Sequence, residues 1–255
     1  MSSGAQPGKT ARDLCAAAEE ALTEGAFRTG DLAGPEGLFG EARALAARTG
    51  DQAGEALAVG GLGMTRHHRN LATLISGLAL DGGKVDEEEE LMRRALALWQ
   101  QTGDAAGTAR ALFGVGLVLQ VLRRDWTAAM EYFWPAFGLA EAVEESGDLY
   151  GRSEIHRHLG FYYLVADVRP HEAVRQLAHS LALRERLGDP RRMPSALTAL
   201  GEAEIAAGNP RRAVQLLGRA VTLARDTGLL PWRVEAAEEA LGTARATLSA
   251  AGETP

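Results

Sequence analysis

The sequence predicts an all-α solenoid of about five helical hairpins and a terminal helix, on three observations. A Gly-Asp pair recurs at Gly50-Asp51, Gly103-Asp104, Gly147-Asp148 and Gly188-Asp189, with a weaker copy at Gly228-Leu229; the spacings are 53, 44, 41 and 40 residues. A near-constant period of this size marks a repeat array. A second glycine follows thirteen residues later at Gly63, Gly116, Gly160 and Gly201, and fourteen later at Gly242, each behind an apolar residue (Leu62, Val115, Leu159, Leu200, Leu241). Further on, apolar residues take helical spacing, as at Ala213, Leu216, Leu217, Ala220, Val221 and Ala224.

Each half of the Gly-Asp pair has a physical role. Glycine accepts the left-handed conformation that ends a helix. Aspartate accepts hydrogen bonds from the free N–H groups that open the next one. The second glycine lies inside a helix, where it costs about 1 kcal/mol against alanine. Its return at one register predicts a close approach of two helices there.

Taken in order, residues 1–9 read as a leader, residues 10–250 as one array, and residues 251–255 as a tail. Gly8-Lys9-Thr10 imitates the end of a phosphate-binding loop, but Ser3 stands where that motif needs glycine. Thr10 is placed to cap a first helix through about Glu24, and Phe27 to Ala33 reads as a loop before a helix opened by Pro35. The second repeat carries 13 extra residues between Gly63 and its second helix. Within them Leu71, Leu74, Ile75 and Leu78 keep helical spacing, so the segment is expected to be helical, long or broken, and to bury that face. Residues 64–80 are expected to form one wall of a binding groove, the alternative being a surface elaboration or a homodimer contact. The acidic run Asp86 to Glu90 reads as a solvated helix start. The third repeat has four extra residues in its second helix, where Pro135 is expected to introduce a kink. The fourth and fifth turn at Arg169-Pro170 and Asn209-Pro210, and Pro231 opens the terminal helix.

Composition excludes several roles. The net charge is −7 and only two lysines occur, with no basic block, which disfavours wholesale nucleic-acid binding. A single cysteine, Cys15, cannot form an internal disulfide and suits a cytoplasmic setting. The start of the chain shows no apolar signal core, and no uninterrupted run of about 18 apolar residues predicts a membrane span.

Candidate chemistry is sparse. None of the six histidines forms the i, i+4 pair of helical zinc sites, so no metal and no cofactor is expected. Glu154 and His158 share a helix face, which reads as a surface ion pair or as an acid and base. Ten of the fourteen aromatics fall between Phe113 and Tyr163, which reads as a thick core or an apolar pocket.

The Leu-Gly pair in each first helix and the small residue in each second (Ala128, Ala173, Ala213) resemble the longer, forty-odd-residue form of the tetratricopeptide repeat. The resemblance covers roughly residues 10 to 250 and implies a right-handed α-α superhelix whose first helices line a concave groove. Carried over by register, the inward positions are Leu57, Gly60, Met64 and His67; Arg110, Phe113, Leu117 and Gln120; Glu154, Arg157, Phe161 and Leu164; and Ser195, Thr198, Glu202 and Ile205. The lysine and asparagine of the family's chaperone-tail clamp are missing from these positions.

A cytoplasmic interaction module that holds a peptide or protein segment is therefore expected, resembling the arrays of bacterial regulators and adaptors. The alternative is a binder of an apolar small molecule, or an enzyme, with a pocket around Glu154, His158 and Phe161. The working surface is expected at Met64, His67, Arg110, Phe113, Leu117, Gln120, Glu154, Arg157, His158, Phe161 and Leu164.

Overall fold

The computed structural model describes residues 9–142 and 148–252, so Gly147 lies outside the described residues. These form eleven α-helices with no strand: α1 (Ala11–Glu24), α2 (Ala33–Thr49), α3 (Gln52–Ile75), α4 (Gly82–Thr102), α5 (Ala105–Leu117), α6 (Trp126–Ala142), α7 (Leu149–Phe161), α8 (Pro170–Leu187), α9 (Met193–Ala206), α10 (Pro210–Asp226) and α11 (Pro231–Ala250). The described residues divide into two compact units, one within Met1–Ala26 and Asp31–Arg124, the other within Phe27–Gly30 and Asp125–Pro255. In the first, α1 packs on α2 and α3, α2 on α3, α3 on α4, and α4 and α3 on α5. In the second, α7 packs on α8, α8 on α9, α9 on α10, and α10 and α9 on α11.

The junction chemistry holds at three places. Asp51, Asp104 and Asp148 each accept a hydrogen bond from the N–H three residues on, at 2.9, 2.8 and 2.8 Å. The donor is always a glycine: Gly54, Gly107 or Gly151. A Cβ on Gly54 or Gly151 would meet the capping carboxylate at 2.4 or 2.5 Å. At the fourth junction Arg192 replaces that glycine, and Asp189 turns instead to the Arg191 N–H at 3.0 Å and to the Arg191 and Arg192 side chains. Helix α9 accordingly starts four residues after Asp189, at Met193. Gly50, Gly103, Gly188 and Gly228 all take positive φ.

The close approach at the second glycine is present in the fourth and fifth repeats. A Cβ on Gly160 or Gly201 would lie 2.5 Å from the Cγ of Leu177 or Leu217 on the partner helix. On Gly63 it would lie 2.9 Å from the Met92 sulfur, whereas nothing lies within 4 Å of Gly242.

Several expectations are corrected. The extra segment of the second repeat continues α3 as one unbroken 24-residue helix, ended at Gly77 by a φ of +70°. Its buried face is polar: Thr65, His67 and Asn70 are turned in, while Ile75 and Leu78 are 42% and 65% exposed. The reason is Glu88 on α4, fully buried, which takes His67 Nδ1 and Asn70 Nδ2 at 2.8 Å each. The acidic run therefore lies inside the helix rather than at its start: Asp86, Glu87 and Glu90 are exposed as expected, and Glu88 is buried. Helix α4 begins earlier, at Gly82 behind the cap Asp81, and Asp86 and Glu89 pair with Arg123. Helix α6 carries Pro135 in its interior, and the expected extension of this second helix by four residues involves residues 143–147, outside the described residues.

The window Ala105–Leu122 is long and apolar enough to cross a membrane, with mean hydropathy 1.5, contrary to the expectation of none; 56% of it is buried among neighbouring helices, which accounts for its composition. Three first helices also end in a wider π turn, at Gly25–Thr29, Val118–Leu122 and Tyr162–Ala166. Behind the last two, Arg124 and Val168 hold positive φ (57° and 49°) where Gly77 and Gly208 serve the other repeats.

Candidate functional site

In the first unit, most of the expected surface is enclosed. Phe113, Leu117 and Gln120 are 6%, 4% and 4% exposed on α5 and its π turn, and His67 is engaged with Glu88 inside the α3–α4 hairpin. Met64 packs on the cluster formed by Cys15, Phe39 and Ala58. Arg110 is exposed and pairs with Glu19 at 3.2 Å.

The second unit presents a different face. All eight register positions on its first helices escape full burial: Glu154, Arg157, Phe161 and Leu164 at α7, and Ser195, Thr198, Glu202 and Ile205 on α9. Between them Ile155, Leu159, Ala196, Leu197 and Leu200 are buried. This alternation follows from helical spacing, which places i, i+3, i+4 and i+7 on one side.

Arg184, near the end of α8, organises this region. It is 2% exposed and donates to Ser153 Oγ at 3.2 Å, to the Arg192 carbonyl at 2.6 Å, to Ser195 Oγ at 2.6 Å, and to Glu154. Burial pulls its guanidinium down to about 10, with Tyr150 and Asp189 opposing, so it stays charged at neutral pH. Sequence reasoning missed Arg184 because a basic residue in the last turn of a helix reads as an ordinary dipole partner.

Glu154 engages Arg184 through one oxygen and Arg157 through the other. Arg157 Nη1 lies 3.5 Å from Glu154 Oε2 and 3.2 Å from His158 Nε2. His158 is 4% exposed, between Phe133 and Phe161. The Glu154 and His158 side chains thus both lie against the Arg157 guanidinium. His156, on the opposite side of α7, meets Gln176 Oε1 at 2.7 Å and stacks on His179 with centroids 5.3 Å apart.

Guanidinium groups and aromatic rings alternate here. Arg157 lies over Phe161 at 4.8 Å, Arg192 over Tyr150 at 3.6 Å, and Arg233 over Trp232 and Phe27 at 4.2 and 4.3 Å. Such stacking fixes the planes of these side chains. Glu202 is exposed, yet desolvation raises its carboxyl above the usual range, against the pull of Arg157 and together with Glu239. Water reaches it from one side while protein surrounds the others. Among the described residues no cluster of three or more His, Cys, Asp or Glu is arranged to hold a metal ion.

Two solved structures share this architecture over most of the chain. RapI, in its apo form, matches 94% of the chain and 64% of its own, with TM-score 0.56 and 14% identity. A point variant of nearly identical TPR-like repeats, of the kinesin light chain type, from Podosopora anserina matches 85% of the chain and 95% of its own, with TM-score 0.50 and 16% identity. The fold is tetratricopeptide-like. BtubC from P. vanneervenii is a further neighbour, at TM-score 0.49, 19% identity and coverage of 88% and 94%. No protein-family model and no curated protein matches the chain. At these identities the tetratricopeptide likeness concerns fold, and function is argued from the site.

Proposed function

We propose that the protein is an interaction module that holds a peptide or protein segment against the first-helix face of its second unit. The observation that carries this reading is the set of partly or fully exposed positions on α7, its π turn and α9, with Phe161 and Leu164 apolar and Arg157, Ser195 and Glu202 polar. A surface of that composition suits an extended segment, with apolar anchors for affinity and polar groups for register. Of the expected residues, Glu154, Arg157, Phe161 and Leu164 form the centre of the proposed contact; His158 supports Phe161 from within. Met64, His67, Arg110, Phe113, Leu117 and Gln120 belong to the first unit and are assigned to its own packing and ion pairing. The lone buried Cys15 fits a cytoplasmic setting, and a regulatory or adaptor role fits an array of this kind.

Selection from a random peptide display library tests this. Phe161→Ala should weaken selected peptides about thirtyfold, as for a hot-spot contact of about 2 kcal/mol. Retained binding with a lowered melting temperature would make Phe161 core and move the site elsewhere.

A further inference from the structure

We propose that Val165 and Val168, at the turn between α7 and α8, extend the first-helix face of the second unit and hold an aliphatic side chain of the bound segment. The inference rests on the peptide-binding reading and names the chemistry its partner carries.

Val168 is the starting point. Its φ of 49° lies in the left-handed region, which a β-branched residue rarely takes. The turn imposes it. On one side the Asp167 N–H donates to the Tyr162 carbonyl at 3.0 Å, and on the other the Arg169 N–H donates to the Tyr163 carbonyl at 2.8 Å. A strained residue persists where its surroundings over-determine it. Arg124 fills the same turn behind α5, and Gly77 and Gly208 take positive φ behind α3 and α9, so the fold does not ask for valine here. Nor does the core. Val168 is 71% and Val165 57% exposed, and neither joins the cluster of Leu177, Leu197 and Leu217 on which Phe161 and Leu164 pack. A contact with a partner would account for a strained apolar side chain that the chain's own core does not use. The pair also continues the proposed face. Val165 lies four residues past Phe161, about one helical turn or about 6 Å along the axis. Side chains two apart on an extended segment point the same way and are separated by about 7 Å. A segment with one side chain on Phe161 therefore brings the next on that side to Val165 and Val168. The charges of the turn are occupied with each other: Arg169 Nε donates to Asp167 Oδ2 at 2.7 Å, and the guanidinium lies over Tyr163 at 4.7 Å. The turn thus offers an uncharged apolar surface, which fits valine, isoleucine or leucine in the partner.

Peptides selected on the full wild-type chain from a random display library, labelled and titrated by fluorescence anisotropy, test the site, together with urea denaturation of each variant. Selected sequences are expected to carry apolar residues two positions apart, the second aliphatic. Val165→Ala and Val168→Asn should each weaken binding about tenfold, as for loss of one apolar contact. Val168→Asn should do so while its denaturation midpoint rises, a combination that damage to the fold would not give. Replacing the second of the two peptide residues by alanine should weaken binding about tenfold to the wild type and no further to Val168→Asn, because both changes remove the same contact. Arg124→Asn, at the matching turn of the first unit, should leave binding unchanged. If Val168→Asn fails to fold, Val168→Gly, the residue of the other turns, takes its place with the same expectation. Unchanged binding by both valine variants, with Phe161→Ala still weakening it, overturns this inference alone. Weaker binding accompanied by a lower midpoint assigns the loss to the fold and overturns it too. Selected peptides indifferent to Phe161 would sink the functional reading and this inference with it.

Discussion

Gly160 and Leu177 stand so close that a methyl group on the glycine would lie 2.5 Å from the leucine Cγ. Gly201 and Leu217 repeat the relationship one hairpin later, at the same distance. Both leucines are fully buried, so neither has room to withdraw.

Gly160→Ala and Gly201→Ala should each destabilise the second unit by about 1–3 kcal/mol through overpacking, despite the better helix propensity of alanine. Gly242→Ala is the matched case at the same register on α11, exposed with nothing within 4 Å, and should stabilise by about 1 kcal/mol. Urea denaturation of the three variants checks both signs.

Val168 is a β-branched residue at a φ of 49° and is 71% exposed. The left-handed conformation costs such a residue roughly 1–2 kcal/mol. Val168→Asn should therefore raise stability by about 1 kcal/mol, since asparagine tolerates that conformation and no packing is lost. An unchanged or lower denaturation midpoint would show the strain to be absent.

Arg184→Met should cost about 3 kcal/mol or more, because it leaves Glu154 without its main counter-charge and Ser153, Ser195 and the Arg192 carbonyl without a donor. The double variant with Glu154→Gln should recover part of the loss. A double-mutant cycle with no coupling would count against the pair.

Burial lowers the pKa of His156 below 6.5, more than its contacts with Gln176 and Glu141 raise it, and His179 adds to the lowering. The folded state thus binds its proton less readily than the unfolded one. Stability should be full above about pH 6.5 and fall as the pH drops below it. Glu202 works with the opposite sign: its raised pKa makes a contribution that is lost as the pH rises above 4.5. Denaturation midpoints between about pH 7.5 and 5.5 should decline in the wild type and flatten in His156→Gln.

The Cys15 thiol is 2% exposed, and desolvation raises it to about 11. The thiolate is the reacting species. At about pH 8 a thiol reagent should label it only as fast as the first unit opens, with urea accelerating the reaction. Stoichiometric labelling of the native protein within the mixing time would contradict its placement.

The hairpin plan was legible because its punctuation is local. An aspartate three residues ahead of a glycine can cap whatever lies elsewhere in the chain. Asp189 misled for the same reason: its dipeptide is intact, but the glycine it needs three residues on is Arg192. The polar side of α3 was illegible, because Leu71, Leu74, Ile75 and Leu78 carry the apolar period while the partner that draws His67 and Asn70 inward, Glu88, sits on another helix. Of the candidate site, Arg157 and Phe161 followed from register. Arg184, Arg192 and Arg233 did not, since a buried guanidinium and an exposed one look alike in a sequence. The π turns leave no mark in a period-based reading.

Arg184 also bears on where this chain can be cut. Gly188 to Arg192 is a loop between two hairpins, and in a modular array such a joint is the natural place to divide, permute or exchange units. Here the side chain on one bank of the joint is clasped by Ser195 and the Arg192 carbonyl on the other. Severing the loop would strand a charged group in the interior of the remaining half. The fourth and fifth hairpins are in that sense a single indivisible block, and a designer wishing to shorten or graft this protein would have to take both or neither.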